Sequence, residues 1–190
     1  MASLKAEIEQ QSPFSSLEEE TLLNLLRTSD CLQRALHRKI RHWGVTSTQY
    51  NVLRILRGAQ PQGLTCSAIG DRMITAEPDI TRLLARLKGL KLIRQQQDRH
   101  DRRVLWTQIS EAGLRLLREM DPVIDRVPRE LLRHMNGEEL TELVRLLEMA
   151  RKPCCDAHPA SARRTETGQP QQPLPEIANE TRGRAPVRRR

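Results

Sequence analysis

Aromatic side chains are nearly missing from this chain: two Trp, one Tyr and one Phe make up 2% of its 190 residues. A core must then rest on Leu, Ile, Val and Met, which suits helices packed through leucine stripes. Long apolar runs are also lacking. No stretch approaches the ~20 residues that a membrane-spanning helix requires. The N-terminal MASLKAEIEQQ has no apolar segment of the kind a signal peptide carries, so the cytoplasm is the expected location. Four cysteines (Cys31, Cys66, Cys154 and Cys155) make no disulfide framework and are expected as free thiols. His37, His42, His100, His134 and His158 show no metal-ligand spacing with cysteines or acids. Neither a metal nor a cofactor is expected. A phosphate-binding glycine loop, a nucleophile elbow and a placed acid/base pair are all lacking, which argues against an enzyme.

What the chain does have is positive charge, 32 Lys and Arg against 24 Asp and Glu, for a net +8. Such a surplus favours a polyanion, either nucleic acid or an anionic membrane surface. Part of it lies in a tail. From Pro153 onward there are six prolines, few apolar residues, and seven arginines against four acids. Residues 153–190 are expected to be disordered. Arg188, Arg189 and Arg190 either touch phosphates nonspecifically or are simply solvated.

Residues 17–42 read as a long amphipathic helix, with Leu22, Leu25, Leu26, Leu32, Ala35, Leu36 and Ile40 recurring mostly at three- and four-residue steps. Thr46 and Gln49 form a capping-box pattern for a second helix that stops near Gly58 and Pro61. An extended piece at Leu64 to Ser67 leads into a brief third helix ending near Met73. Thr75-Ala-Glu-Pro78 is expected to start a fourth, with Ile80, Leu83, Leu84 and Leu87 as its buried stripe. Ser110 can cap a fifth helix, whose seam of Leu117, Met120, Ile124, Val127, Leu131 and Met135 suggests a partner helix. Pro122 and Pro128 should kink or break it. Asn136-Gly137 reads as a turn before a last helix from Leu140 to Met149.

Between the fourth and fifth helices lies QQQDRHDRRVLW, two short strand candidates around a knot of charge. Two short helices followed by a hairpin make a winged helix-turn-helix. Its second helix enters the DNA major groove, and the hairpin loop reaches the adjacent minor groove. Charge location agrees. Residues 72–103 hold nine basic and four acidic residues, a surplus equal to the whole net charge of residues 1–152. On the fourth helix, Asp79, Arg82 and Arg86 lie opposite the leucines, where the arginines can meet guanine edges or phosphates. The alternative is a solvated face on which Asp79 pairs with Arg82.

At these residues the chain resembles the MarR (multiple antibiotic resistance) family of bacterial transcription regulators. Val45-Thr46-x-x-Gln49-Tyr50-x-Val52-Leu53, Leu64-Thr65-x-Ser67-Ala68-Ile69-Gly70 and Ile80-Thr81-Arg82-Leu83-Leu84-x-Arg86-Leu87 carry the resemblance. So do Leu92-Ile93-Arg94, the wing motif Asp98-x-x-Asp101-Arg102-Arg103, Ile109-Ser110-x-x-Gly113 and Asn136-Gly137-Glu138-Glu139-Leu140. Together they cover roughly residues 17–150. The resemblance implies a homodimer whose first, fifth and sixth helices interlock, each subunit reading half of a pseudo-palindromic site. It puts Asp79, Thr81, Arg82 and Arg86 on the recognition helix, with Thr75 and Pro78 at its start. In the wing, Asp98, Asp101 and Arg103 match the bracing pattern, with Arg99, His100 and Arg102 at the tip. Arg103 counts as a DNA-contact candidate as well. One departure stands out: Lys91 occupies the place after the recognition helix where the family commonly has Gly.

Other candidates carry bland alternatives. Cys31, between Asp30 and Arg34, lies where oxidation-sensing relatives place a reactive thiol; an inert helix thiol is the simpler reading. Trp43 and Tyr50 are candidates to line an effector cavity or merely to fill the core. Trp106 falls on the outer side of the hairpin. The expected fold is mainly α with a small β-hairpin wing. Residues 1–16 form a flexible N-terminus, 17–44 a dimerisation helix, and 45–109 the winged helix-turn-helix domain. Residues 110–152 form C-terminal dimerisation helices, and 153–190 the basic tail. The expected function is a dimeric DNA-binding regulator, a repressor released by a small-molecule effector, with no membrane partner. The rival is a winged-helix module that binds another protein, or nucleic acid nonspecifically.

Overall fold

The computed structural model describes residues 3–156, and in it side-chain caps set most helix starts. Thr46 Oγ1 accepts from the Gln49 N–H at 3.2 Å while Gln49 Oε1 accepts from the Thr46 N–H at 2.9 Å, opening α3 (Ser47–Gly58). Ser16, Thr65 and Ser110 cap α2 (Leu17–Ile40), α4 (Cys66–Gly70) and α6 (Glu111–Ile124) through their hydroxyls. Asn136 and Glu139 exchange the same kind of bonds at the start of α8 (Gly137–Asp156). A 3-10 turn, Arg41–Trp43, and Gly44 at φ 69° swing the chain from α2 into α3.

β1 (Ile93–Gln97) and β2 (Leu105–Ile109) pair antiparallel, with Ile93 opposite Ile109 and Gln97 opposite Leu105. Leu64 adds a third, one-residue rung. Its N–H donates to the Thr107 carbonyl at 2.9 Å, and the Thr107 N–H donates back at 2.8 Å. Gly63 permits this approach: a Cβ there would sit 2.5 Å from Thr107 O. Gln108 Nε2 ties down the same loop by donating to Pro61 O at 2.7 Å.

α3 runs through the centre. Its Val52, Leu53 and Leu56 are fully enclosed, in one cluster with Ile40, Ile69, Leu84, Leu87, Leu117 and Met120. Each such side chain contributes about 1.5–3 kcal/mol by leaving water. The apolar stripe of α6 is therefore spent inside the chain. Leu117, Met120, Ile124 and Val127 are all buried, so this part of the seam finds its partner among the chain's own helices. The break foreseen from the prolines falls at Asp125 and Arg126, and α7 (Val127–Leu132) resumes with Pro128 in its first turn, where proline fits.

Four boundaries differ from the sequence pattern. Residues 4–7, expected to be flexible, form the one-turn helix α1 (Leu4–Glu7), which buries Leu4. The helix after the lead-in segment, α5 (Ile80–Gly89), starts at Ile80 rather than Thr75. Pro78 disfavours helical geometry at Glu77, and Asp79 is held non-helical at φ −128°, ψ 69° as the N-cap. α8 begins earlier than Leu140 and continues beyond Met149. It also runs through Pro153 to Asp156, into the first residues expected to be disordered. There the proline removes a single backbone bond near the helix end. The rest of the tail, including Arg188 to Arg190, lies outside the described residues.

Among the described residues, two helices keep apolar side chains exposed. Leu17, Leu22, Leu26 and Leu32 on α2 are 37–74% exposed, and Val144, Leu146 and Met149 on α8 are 45–55% exposed.

Candidate nucleic-acid interface

α5 presents two faces. Leu83, Leu84 and Leu87 are buried, whereas Thr81, Arg82, Arg86 and Lys88 are exposed. Thr75 and Pro78, also exposed, belong to the lead-in segment rather than the helix. That segment is pinned to α3 by Asn51, whose Oδ1 accepts from the Ile74 N–H at 3.1 Å. Asp79 Oδ1 accepts from the Arg82 N–H at 2.8 Å. The carboxylate is thereby committed to the helix N-terminus, where the backbone dipole favours negative charge. It forms no ion pair with the Arg82 guanidinium, since among the described residues Arg82, Arg86, Arg99, Arg102 and Arg103 all lack a carboxylate partner.

Just past the end of α5, Lys91 adopts φ 58°. Lys91 N–H donates to Lys88 O at 2.9 Å and Leu92 N–H to Leu87 O at 3.0 Å, closing a left-handed cap in a place that glycine normally occupies. Ser110 fixes the geometry from outside. Its hydroxyl donates to Lys91 O at 2.7 Å and its N–H to Leu92 O at 3.0 Å. The helix end therefore keeps its place and carries the strain.

The wing turn is built on two carboxylates. Asp98 Oδ1 accepts from the N–H groups of His100 at 2.8 Å and Asp101 at 3.0 Å, while Asp98 Oδ2 accepts from the Trp106 indole Nε1–H at 3.0 Å. The Asp101 N–H, then the indole and the His100 N–H, pull the Asp98 carboxyl down to about 2, so it is ionised at neutral pH. Asp101 Oδ1 accepts from the Arg103 N–H at 2.9 Å. Asp98 N–H to Val104 O and Val104 N–H to Asp101 O, both 2.9 Å, close the loop at its base. Arg99, His100, Arg102 and Arg103 project from it and are exposed. Three of the four acids in residues 72–103 thus cap backbone N–H groups, and the basic side chains dominate what faces solvent.

Between α3 and α6, Arg57 and Asp121 form a two-pronged pair, Nη1 to Oδ2 at 2.6 Å and Nη2 to Oδ1 at 3.2 Å. Tyr50 packs in the core beside it, with the Arg54 guanidinium 5.8 Å from its ring centre. Burial pushes the Tyr50 phenol above its ordinary pKa. Trp43 packs partly buried against the same core, so both effector-cavity candidates make packing contacts here. Cys31 is exposed on α2, flanked by the Asp30–Arg34 ion pair. The structure also assigns contacts to residues that sequence reasoning passed over: Asn51, Arg57, Asp121 and the indole of Trp106. The signal for the last was present, an aspartate on one strand and a lone donor-bearing aromatic on the other.

The MarR family model matches residues 43–104, the span from the end of the first long helix to the wing. A MarR transcription factor from Planctomyces limnophilus is 35% identical, with a TM-score of 0.56, over 72% of this chain and 99% of that one. The HTH-type transcriptional regulator MhqR of Bacillus subtilis is 28% identical over 115 residues, 60% of this chain and 77% of that protein. Bordetella bronchiseptica BpsR, whose structure concerns regulation of its DNA binding by 6-hydroxynicotinic acid, is 23% identical with a TM-score of 0.62. That match covers 70% of this chain and 98% of the other. With the winged helix, the braced basic hairpin and these relatives together, the chain belongs to the MarR family of transcription regulators, which are not enzymes.

Proposed function

We propose that this protein binds double-stranded DNA sequence-specifically as a homodimer and represses transcription until a small molecule releases it. The observation that carries the reading is the set of exposed cations, Arg82 and Arg86 on α5 with Arg99, Arg102 and Arg103 on the wing, none with a carboxylate partner among the described residues. A convex helix with free guanidinium groups suits the major groove, and a rigid loop bearing arginines suits the narrow minor groove beside it. The exposed leucines of α2 and the apolar residues of α8 offer a second copy a surface to cover. Two recognition helices about 34 Å apart then read the halves of a pseudo-palindromic operator. A ligand that prefers a dimer with the wrong spacing weakens binding by its differential affinity. BpsR supports a small-molecule effector by analogy. The reading places the protein in the cytoplasm with the chromosome; among the described residues no helix is long and apolar enough to cross a membrane.

Salt titration tests the reading. Duplexes selected from random DNA should bind at least ~10³-fold more tightly than scrambled duplexes at physiological salt. Equal affinity for both, with a steep salt slope, would support the nonspecific winged-helix module instead.

A further inference from the structure

We infer that Trp106 is a positioning residue for DNA binding: its indole N–H completes a three-donor hold on Asp98 that fixes how the wing-tip arginines are presented. The inference rests on the reading that the wing contacts DNA. Trp106 pairs across the hairpin with Gln96, and Asp98 follows Gln96 by two residues on the same strand face. A diagonal neighbour of that kind is within reach of a long aromatic side chain. The ring is not there to fill the core. On β2 the buried residues are Thr107 and Ile109, whereas Trp106 lies on the opposite, partly exposed face.

The contact is also specific to the donor. Tryptophan has one polar hydrogen, and it points at Asp98 Oδ2 at 3.0 Å. The other carboxylate oxygen takes the N–H groups of His100 and Asp101. With Oδ2 fixed by the indole, Asp98 cannot rotate away from those two N–H groups, and the loop holding Arg99 and Arg102 keeps one shape. A pre-ordered loop avoids an ordering cost on binding. Removing the indole N–H frees the carboxylate while leaving the cations in place.

Trp106→Phe keeps an aromatic ring and deletes the donor, and Asp98→Ala removes both acceptor oxygens. In the full chain, with an operator selected by the wild-type protein, Trp106→Phe should weaken binding about five- to tenfold. In the Asp98→Ala background the same change should cost less than about twofold, because its target is already gone. Without DNA, amide exchange at His100 and Asp101 should quicken in Trp106→Phe. Wild-type affinity in Trp106→Phe overturns the inference, as does an equal loss in both backgrounds, which would assign the effect to the ring. Failure of the wild-type protein to select any operator would instead remove the DNA-binding reading. The exchange measurement still decides the clamp in that case, and unchanged His100 and Asp101 amides would overturn it.

Discussion

Lys91 offers a quantitative test, because its strain can be separated from its charge. The left-handed geometry at φ 58° costs a residue with a Cβ about 1–2 kcal/mol. Four hydrogen bonds, two within the helix end and two from Ser110, keep the backbone from relaxing. Glycine removes the clash but loses about 0.5–1 kcal/mol through the freedom of its unfolded chain. Lys91→Gly should therefore exceed Lys91→Ala in stability by about 0.5–1 kcal/mol, the difference between these two terms. Alanine is the proper reference, since both variants lose the same favourable cation at a helix C-terminus, worth roughly 0.3–1 kcal/mol. For a folded unit of this size the gain corresponds to about 1–4 °C in Tm. Melts must be compared at matched protein concentration, because the Tm of a protein that self-associates depends on it. A glycine variant no more stable than the alanine variant would refute the assignment of strain to Lys91.

Other perturbations have equally definite outcomes. Asp121→Asn should destabilise the fold by about 1–2 kcal/mol in urea unfolding, less than a fully buried pair would lose, because the two side chains are 34% and 29% exposed. Unchanged stability would show that the bridge is incidental. Gly113→Ala should cost about 1–3 kcal/mol, since a methyl there meets the Leu92 carbonyl and Ile109 Cγ1; a neutral result would contradict that packing. Asp98 is lowered from 3.8 to about 2, so its contribution to wing order is complete above about pH 4 and is lost as pH falls through 2. Protection of the His100 and Asp101 amides, corrected for intrinsic exchange, should then stay constant from pH 5 to 8. A decline in that window would locate the controlling group elsewhere. Arg99→Ala with Arg102→Ala should lower DNA affinity and reduce the salt slope by about one to two while leaving the oligomeric state unchanged. An unaltered slope would mean the tip only faces solvent.

The sequence made the elements legible wherever chemistry is local. Thr46 with Gln49, Ser110 before α6, and the apolar stripe of α5 each announce themselves within a few residues. The wing was legible for the same reason, as an aspartate turn between two short strands. What could not be read depends on long-range partners. Helical spacing alone does not say whether the seam of α6 faces another chain or α3 of its own, and the core decided for the latter. Arg57 and Asp121 are 64 positions apart, so nothing in either neighbourhood predicts their pairing. The start of α5 was misplaced because Asp79 and Thr75 are both acceptable caps by type, and only the backbone angles choose between them.

The rung between Leu64 and Thr107, with Gln108 holding Pro61, bears on how this protein can be re-engineered. It makes the hairpin part of a three-membered seam rather than an interchangeable arm. A chimera that imports a relative's wing by exchanging residues 93–109 alone would bring in a strand whose other edge no longer matches the loop before α4. Residues 61–64 and 93–109 form the smallest unit that can be transplanted together, although the sequence places them almost thirty positions apart.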